Sequence, residues 1–299
     1  MLATALAAIL LAGCSKSEQA AAPAKTYTIN LSPAYKVGQK FTVVSTVSEA
    51  NHSHIVLYMK GVDTPQNDYE DKKFSGQLEA DGEVLGVFPN GGLQKISLTV
   101  KSITAMRNEA ALAGLPKAGA KIVAAREGDK VAISVDDQAA EATVTTVINE
   151  LVPLDDDKFA LQDLFGAKHS VPVGGTWPVN GADIADSLIA RGIATKATGA
   201  KGSMKLDSIK GDGDSQVTVI SGNFSVDSLT LPLPDTITVD SGSLTATVSC
   251  TIPDSTAKDA LKISKKLTTK TLGHGDVSGA SMKLDITGEQ TRDITLTPQ

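Results

Sequence analysis

Aromatic side chains make up only 4% of this chain, and just one is tryptophan. Sugar and nucleobase sites lean on aromatic platforms, so ligands of those kinds are disfavoured. Cysteine is scarcer still, with Cys14 and Cys250 alone, too few for a disulfide framework. No basic block exceeds a pair such as Lys265-Lys266, and 28 Lys and Arg stand among 34 Asp and Glu for a net charge of −6. That distribution argues against nucleic acid as a partner. No apolar run approaches the roughly twenty residues a helix needs to span a bilayer. Signatures of catalysis are missing too. There is no G-x-S-x-G elbow, no H-E-x-x-H, no phosphate-binding G-x-x-x-x-G-K-[ST], and neither Ser15-Lys16 nor Ser264-Lys265-Lys266 has the S-x-x-K spacing. The expectation is a protein that is not an enzyme and uses no cofactor.

What is present begins at the N-terminus. Residues 2–14 read LATALAAILLAGC, an apolar run of about ten residues ending in small residues, which is the form of a secretory signal. Leu11-Ala12-Gly13-Cys14 resembles the lipobox at which bacteria acylate a cysteine and cleave before it. The resemblance implies a signal peptide over 1–13 and palmitate-type acyl chains on Cys14. The α-amine of Met1 is the only positive charge ahead of the run, which departs from the usual Lys or Arg. Residues 14–26 continue as a small, polar, Ala- and Pro-containing tether. Its eleven residues from Ser15 to Lys25 reach roughly 18 Å as a flexible chain. Several acyl chains hold a protein on a membrane where one does not. By the enterobacterial sorting rule, Ser15 rather than Asp after the cysteine points to the outer membrane, facing the periplasm or the cell surface.

Residues 27–299 read as one β-rich domain. From 27 to 135 the pattern is period two, with KFTVVSTVSEA and HSHIVLYMKG as neighbouring strands and GEVLGVF, QKISLTVKSITAM, AKIVAAR and KVAISV following. Asp81-Gly82, Asn90-Gly91-Gly92 and Glu127-Gly128-Asp129 read as turns. A helical insert occupies 136–192. Val144, Val147, Ile148 and Leu151 fall at helical spacing behind Asp136 or Asp137 as N-cap. ALQDLFG makes a short second helix, and GADIADSLIARG a third, with Ile184, Leu188 and Ile189 on one face and Gly192 ending it. From 196 to 298 the alternation returns in GSMKLDSIK, SQVTVISGNFSV, DTITV, SLTATVSCTI, KKLTTKTL, ASMKLDITG and RDITLTP, punctuated by GDGD, DSG and GHGD. The shared Ser-Met-Lys-Leu-Asp of two of these strands has no fixed period around it and reads as coincidence. Strands, helices, then strands predict an α+β fold: a large curved, half-barrel-like antiparallel sheet with a central insert of two to three helices.

VPVGGTWPV, preceded by LQDLFG and followed by GSMKLDSIK and SQVTVISGNFSV, resembles an uncharacterised family of bacterial secreted lipoproteins, domains of unknown function with a VGDxW core and a C-terminal β-meander. This chain has Gly-Gly-Thr where Gly-Asp-Ser/Thr is usual, and no catalytic motif travels with the match. In architecture the order of sheet, helices and sheet is similar to lipid-anchored carriers of the LolA/LppX kind, whose half-open barrels enclose an apolar cavity.

Few residues invite site chemistry. His52 and His54, two apart on a strand, put their imidazoles on one face about 7 Å apart, which makes them the candidate metal pair, with His169 and His274 as remote further ligands. Asp155-Asp156-Asp157 and Asp212-Gly213-Asp214 invite calcium but lack the terminal Glu of an EF-hand loop. The first reads instead as an acidic helix cap and the second as a turn. The sequons at Asn51 and Asn223 read as chance. Trp177 is expected to anchor the core, and Cys250, between Val248 and Ile252 on one strand face, to be a buried apolar residue with nothing to activate it. The reading that follows is a lipid-anchored cell-envelope protein binding a lipid, another apolar ligand or a lipoprotein partner in the sheet's concave face. The alternative is a structural or interaction module of envelope assembly.

Overall fold

The structure, a computed structural model, describes residues 25–299 apart from Ala34, Asp129, Pro153, Asp156, Asp157, 212–214, Ala257 and Ser278. Cys14 and most of the tether lie outside these residues. The chain opens with strands β1 (Thr26–Tyr27), β2 (Lys40–Met59), β3 (Gln66–Val87), β4 (Leu93–Arg107), β5 (Ala110–Ala111), β6 (Lys121–Glu127), β7 (Lys130–Val135) and β8 (Gln138–Ala139). Then come α1 (Ala142–Leu151), α2 (Leu161–Phe165), β9 (Val171–Pro172), β10 (Thr176–Pro178) and α3 (Gly181–Ala190). The chain closes with β11 (Lys196–Thr198), β12 (Lys201–Lys210), β13 (Val217–Val226), β14 (Ser228–Thr230), β15 (Ile237–Pro253), β16 (Leu261–Val277) and β17 (Ala280–Pro298).

The main sheet runs β10-β12-β13-β15-β16-β17-β2-β3-β4-β6-β7-β8, with β5 on β4. Every pairing in it is antiparallel. The two strand-rich stretches of the sequence meet at its centre, where β17 lies along the whole of β2 from Pro298↔Phe41 to Ala280↔Met59. Its ends do not pair, so the sheet is open and the expected β-rich α+β architecture holds. Both edges are blunt. β8 has two residues and β10 three, including Pro178, and short or proline-bearing edges resist pairing with other chains.

Several expected turns are strand interior. Asp81-Gly82 lies inside β3, where Gly82 pairs with Phe41 and the aromatic ring occupies the place of the missing Cβ. The Asp-Gly pair therefore serves a cross-strand contact and not a reversal. KFTVVSTVSEA and HSHIVLYMKG form one continuous strand, β2. Asp240-Ser241-Gly242 is a bulge within β15, between Val239 and Ser241. The GHGD segment runs straight through β16, because Gly273 and Gly275 meet the carbonyl oxygens of Thr238 and Thr236 where a Cβ would sit. ASMKLDITG and RDITLTP likewise form a single strand, β17.

The first helix starts later than the spacing predicts. Asp136 and Asp137 both take left-handed φ, 50° and 63°, and make the two-residue turn between β7 and β8, a conformation Asp tolerates. Glu141 stands at the N-cap without a side-chain bond. The buried set Val144, Val147, Ile148 and Leu151 is as expected. In α3, Ile184 and Leu188 are buried, but Ile189 is exposed, with Ala185 on the inward face in its place. Gly192, at φ 68°, ends that helix.

Parity along the paired strands defines an inner face. Phe41, Val43 and Val47 of β2, Leu78, Ala80 and Val84 of β3, and Ile294 and Leu296 of β17 all point to it and are buried. Helix α1 seals one part: a Cβ on Gly76 would touch Val47 and Leu151 at 3.3–3.4 Å, so glycine lets the helix lie close. Trp177 is buried and its indole N–H donates to the Phe165 carbonyl at 2.7 Å, which fastens β10 to the end of α2. Among the described residues no helix is long and apolar enough to cross a membrane.

A cationic apolar cavity between sheet and helices

Where α2, α3 and the residues Leu31, Ser32, Pro33 and Tyr35 pass over the inner face, they do not close onto it. A cavity of about 240 Å³ remains. Its floor is the sheet: Phe224 of β13, Val248 of β15, Leu261, Ile263 and Leu267 of β16, and Ile294 of β17. Its roof is Leu31, Phe159, Leu161, Leu164, Ile184 and Leu188. Phe165 and Phe224 approach across it with ring centroids 5.9 Å apart. The N-terminal segment is pinned over the roof where Gln162 Oε1 accepts the Leu31 N–H at 2.7 Å.

Among the described residues, three cations interrupt these apolar walls: Lys265, Arg292 and Arg191. Lys265 and Arg292 are direct cross-strand partners on β16 and β17, in a row that continues to Val248 on one side and to Val47 and Gly76 on the other. Like charges placed opposite one another on a sheet are unfavourable. Arg292 donates from Nη2 to the carbonyl of Val152 at 2.9 Å, which places a cation at the C-terminal end of α1, the negative end of the helix dipole. Its Nε is buried and has no hydrogen-bond partner among the described residues. Burial, then the charges of Arg292 and Arg191, push the Lys265 ammonium down from 10.5 to about 8, against a smaller opposing pull from Glu150. Burial likewise lowers Arg292.

At the opposite wall Asp155 accepts the Leu93 N–H at 2.6 Å. It is thus a loop fastener between Leu93 and the segment after α1. It does not cap α2, which begins behind Ala160. Tyr35 lies nearby, its hydroxyl pushed well above the usual range by burial and then by the Asp155 charge.

His52 and His54 do share a face of β2, the face turned away from the cavity. They are not brought to a common ligand set. His52 Nδ1 lies 2.8 Å from Asp71, whereas His54 Nε2 lies 3.0 Å from Asn67 and its ring stacks on Tyr69 at 4.2 Å. His274 pairs with Asp240 at 2.7 Å, and His169 is exposed. Among the described residues no three metal-ligating side chains cluster. Cys250 is buried and its thiol is pushed up to about 12 by desolvation, the opposite of activation. Asp156, Asp157 and 212–214 lie outside the described residues, as does Cys14.

Lys265 and Arg292 escaped the motif reading because they belong to no motif. The usable signal was parity: in LKISKKL, Lys265 falls in step with Leu261, Ile263 and Leu267, and Arg292 falls in step with Ile294 and Leu296. A cation on the apolar parity of a strand has a reason to be found.

No family model matches this chain, and no curated protein does. Among solved structures, one described as "lipid-protein interactions in lipovitellin" aligns with 90% of this chain and 26% of its own length, at 8% identity and a TM-score of 0.28. The chain therefore spans about a quarter of that protein, and a likeness at this score carries no argument about fold or ligand.

Proposed function

We propose that this chain is a binding protein without catalytic activity, held at the bacterial envelope through acylated Cys14, and that it takes an apolar ligand or the acyl part of a lipoprotein partner between its sheet and its helices. The observation that carries the reading is the cavity of about 240 Å³ with predominantly apolar walls. Packed interiors leave few voids larger than a water, and a concave apolar pocket with a few convergent polar groups is the usual form of a small-molecule site. The tether supplies the rest, because a site on a short lead from the membrane meets lipids and lipoproteins first.

The test is native mass spectrometry of the full chain carrying Cys14→Ser, purified without detergent. The expected spectrum shows the polypeptide plus a fraction carrying extra mass that organic extraction removes. Bare polypeptide alone, with no uptake of added fatty acids or alcohols, overturns the binding role. Loss of metabolically labelled palmitate on Cys14→Ser checks the anchor separately.

One observation favours the interaction module instead. Tyr58, Met59 and Val62 at the β2–β3 reversal and Tyr69 on β3 are each exposed, and apolar side chains in water are a mark of contact surfaces where they adjoin. Serine at these four positions removes a partner from that surface and leaves the cavity untouched.

A further inference from the structure

We infer that the cavity selects an amphiphile with an anionic head, carboxylate or phosphate, which lies between Lys265 and Arg292 while the chain runs beneath α2 and α3. The inference rests on the binding role proposed above and names the ligand class.

Two independent observations lead to it. First, Lys265 and Arg292 stand side by side with no acid between them on the row Val248, Lys265, Arg292, Val47. Among the described residues no carboxylate bonds the Lys265 ammonium, and one guanidinium N–H of Arg292 is buried and unused. An arrangement that sets two cations together in apolar surroundings is unfavourable when empty and favourable when an anion joins them, since charge-assisted bonds are the strong ones. The groups that face Lys265 are Arg292 from β17, Arg191 from the end of α3 and Glu150 from α1, and Asp155 and Tyr35 stand on the far wall of the cavity.

Second, the cations interrupt an apolar floor on which a chain can lie. Val47 and Gly76 are the last fully buried residues of the inner face on β2 and β3, and on the same side of the row Phe74, Leu267, Leu284 and Met282 keep that face apolar. On the other side of the row β16 and β17 continue with Ile263, Leu261, Ile294 and Leu296. A chain laid toward these residues places its polar end at Lys265.

The experiment is titration calorimetry of the full chain carrying Cys14→Ser with octanoate, 1-octanol, octyl phosphate and acetate, repeated with Lys265→Met and Lys265→Arg. Octanoate is expected to bind about tenfold more tightly than 1-octanol, to lose that advantage in Lys265→Met, and to keep most of it in Lys265→Arg. Its advantage is also expected to shrink from pH 7 to pH 9.5 as Lys265 gives up its proton, while 1-octanol binding stays level. Equal affinities of octanoate and octanol for the unsubstituted cavity overturn the anionic head and leave the binding role standing. Octyl phosphate is expected to lose affinity in Lys265→Met as octanoate does, and the tighter binder of the two names the head group. Acetate binding as well as octanoate overturns the seated chain. Failure of every ligand overturns the binding role and this inference together. Lys265 is the substituted position because Arg292 also holds the end of α1, and a thermal melt of each variant confirms that the fold is retained.

Discussion

The two ends of the same long strands behave differently. From Lys40 to Ser48, β2 alternates between buried and accessible at every step, yet from Glu49 to Met59 no residue of it is fully buried. β3 mirrors this, exposed from Gln66 to Lys73 and alternating from Gly76 to Val84. Backbone, register and partners are continuous across the change. The difference lies above the sheet: α1 covers the first end at Gly76 and Val47, and the far end carries Glu70, Asp71, Lys72 and Lys73 on both of its faces. A sheet acquires an interior only where something lies over it: on β2 and β3 full burial stops at the row that Lys265 and Arg292 share, whereas β16 and β17 stay buried beyond it at Thr271, Leu284 and Met282.

The comparison is broken most severely by removing the cover. Ile148→Ala or Leu151→Ala, each at a fully buried position of α1, is expected to cost about 2–5 kcal/mol in urea unfolding. Ile55→Ala at the bare end is expected to cost less than half of that. Equal losses at the two positions contradict the division. Next in size is Trp177→Phe, which strands the Phe165 carbonyl in the interior and is expected to cost about 1–3 kcal/mol by the same measurement.

Lys265→Met is expected to act in the opposite direction, stabilising the empty protein by about 1 kcal/mol at pH 7, since apolar replacement of a buried ion is often neutral or favourable. The sign of the pH dependence follows from the depressed value. Folded, Lys265 releases its proton near 8, whereas its ordinary value is 10.5, so between these limits the unfolded chain holds more protons and stability rises with pH. That contribution is complete above about 10.5 and is lost as pH falls through 8. Lys265→Met should flatten this slope in unfolding curves measured between pH 7 and 10. The smallest effect is expected at the bare end, where Tyr69→Ser removes an exposed ring from its stack on His54 and should shift stability by no more than about 0.5 kcal/mol.

Local patterning made the covered end legible. Val144, Val147, Ile148 and Leu151 announce a helix with one apolar side, and Phe41, Val43 and Val47 a strand with one apolar face. Strand lengths were harder to read, because Asp81-Gly82 and Gly273-His274-Gly275-Asp276 carry turn chemistry while their glycines answer to a cross-strand ring and to neighbouring carbonyls. The pairing of β17 with β2 joins residues more than two hundred positions apart, and no local signal encodes it. The cavity was foreseeable only as an architectural analogy. Its cations were visible as breaks in parity at Lys265 and Arg292, but parity alone does not say that the two positions are neighbours.

The most direct test of the central claim is a crystal structure of the full chain with Cys14→Ser grown with 8-bromooctanoate, located by the anomalous signal of bromine. The account predicts one bromine peak under α2 and α3, with the carboxylate within hydrogen-bonding distance of Lys265 Nζ and Arg292. A bromine peak on the bare β2–β3 surface with the cavity empty, or a carboxylate turned toward Leu261 and away from Lys265, contradicts it.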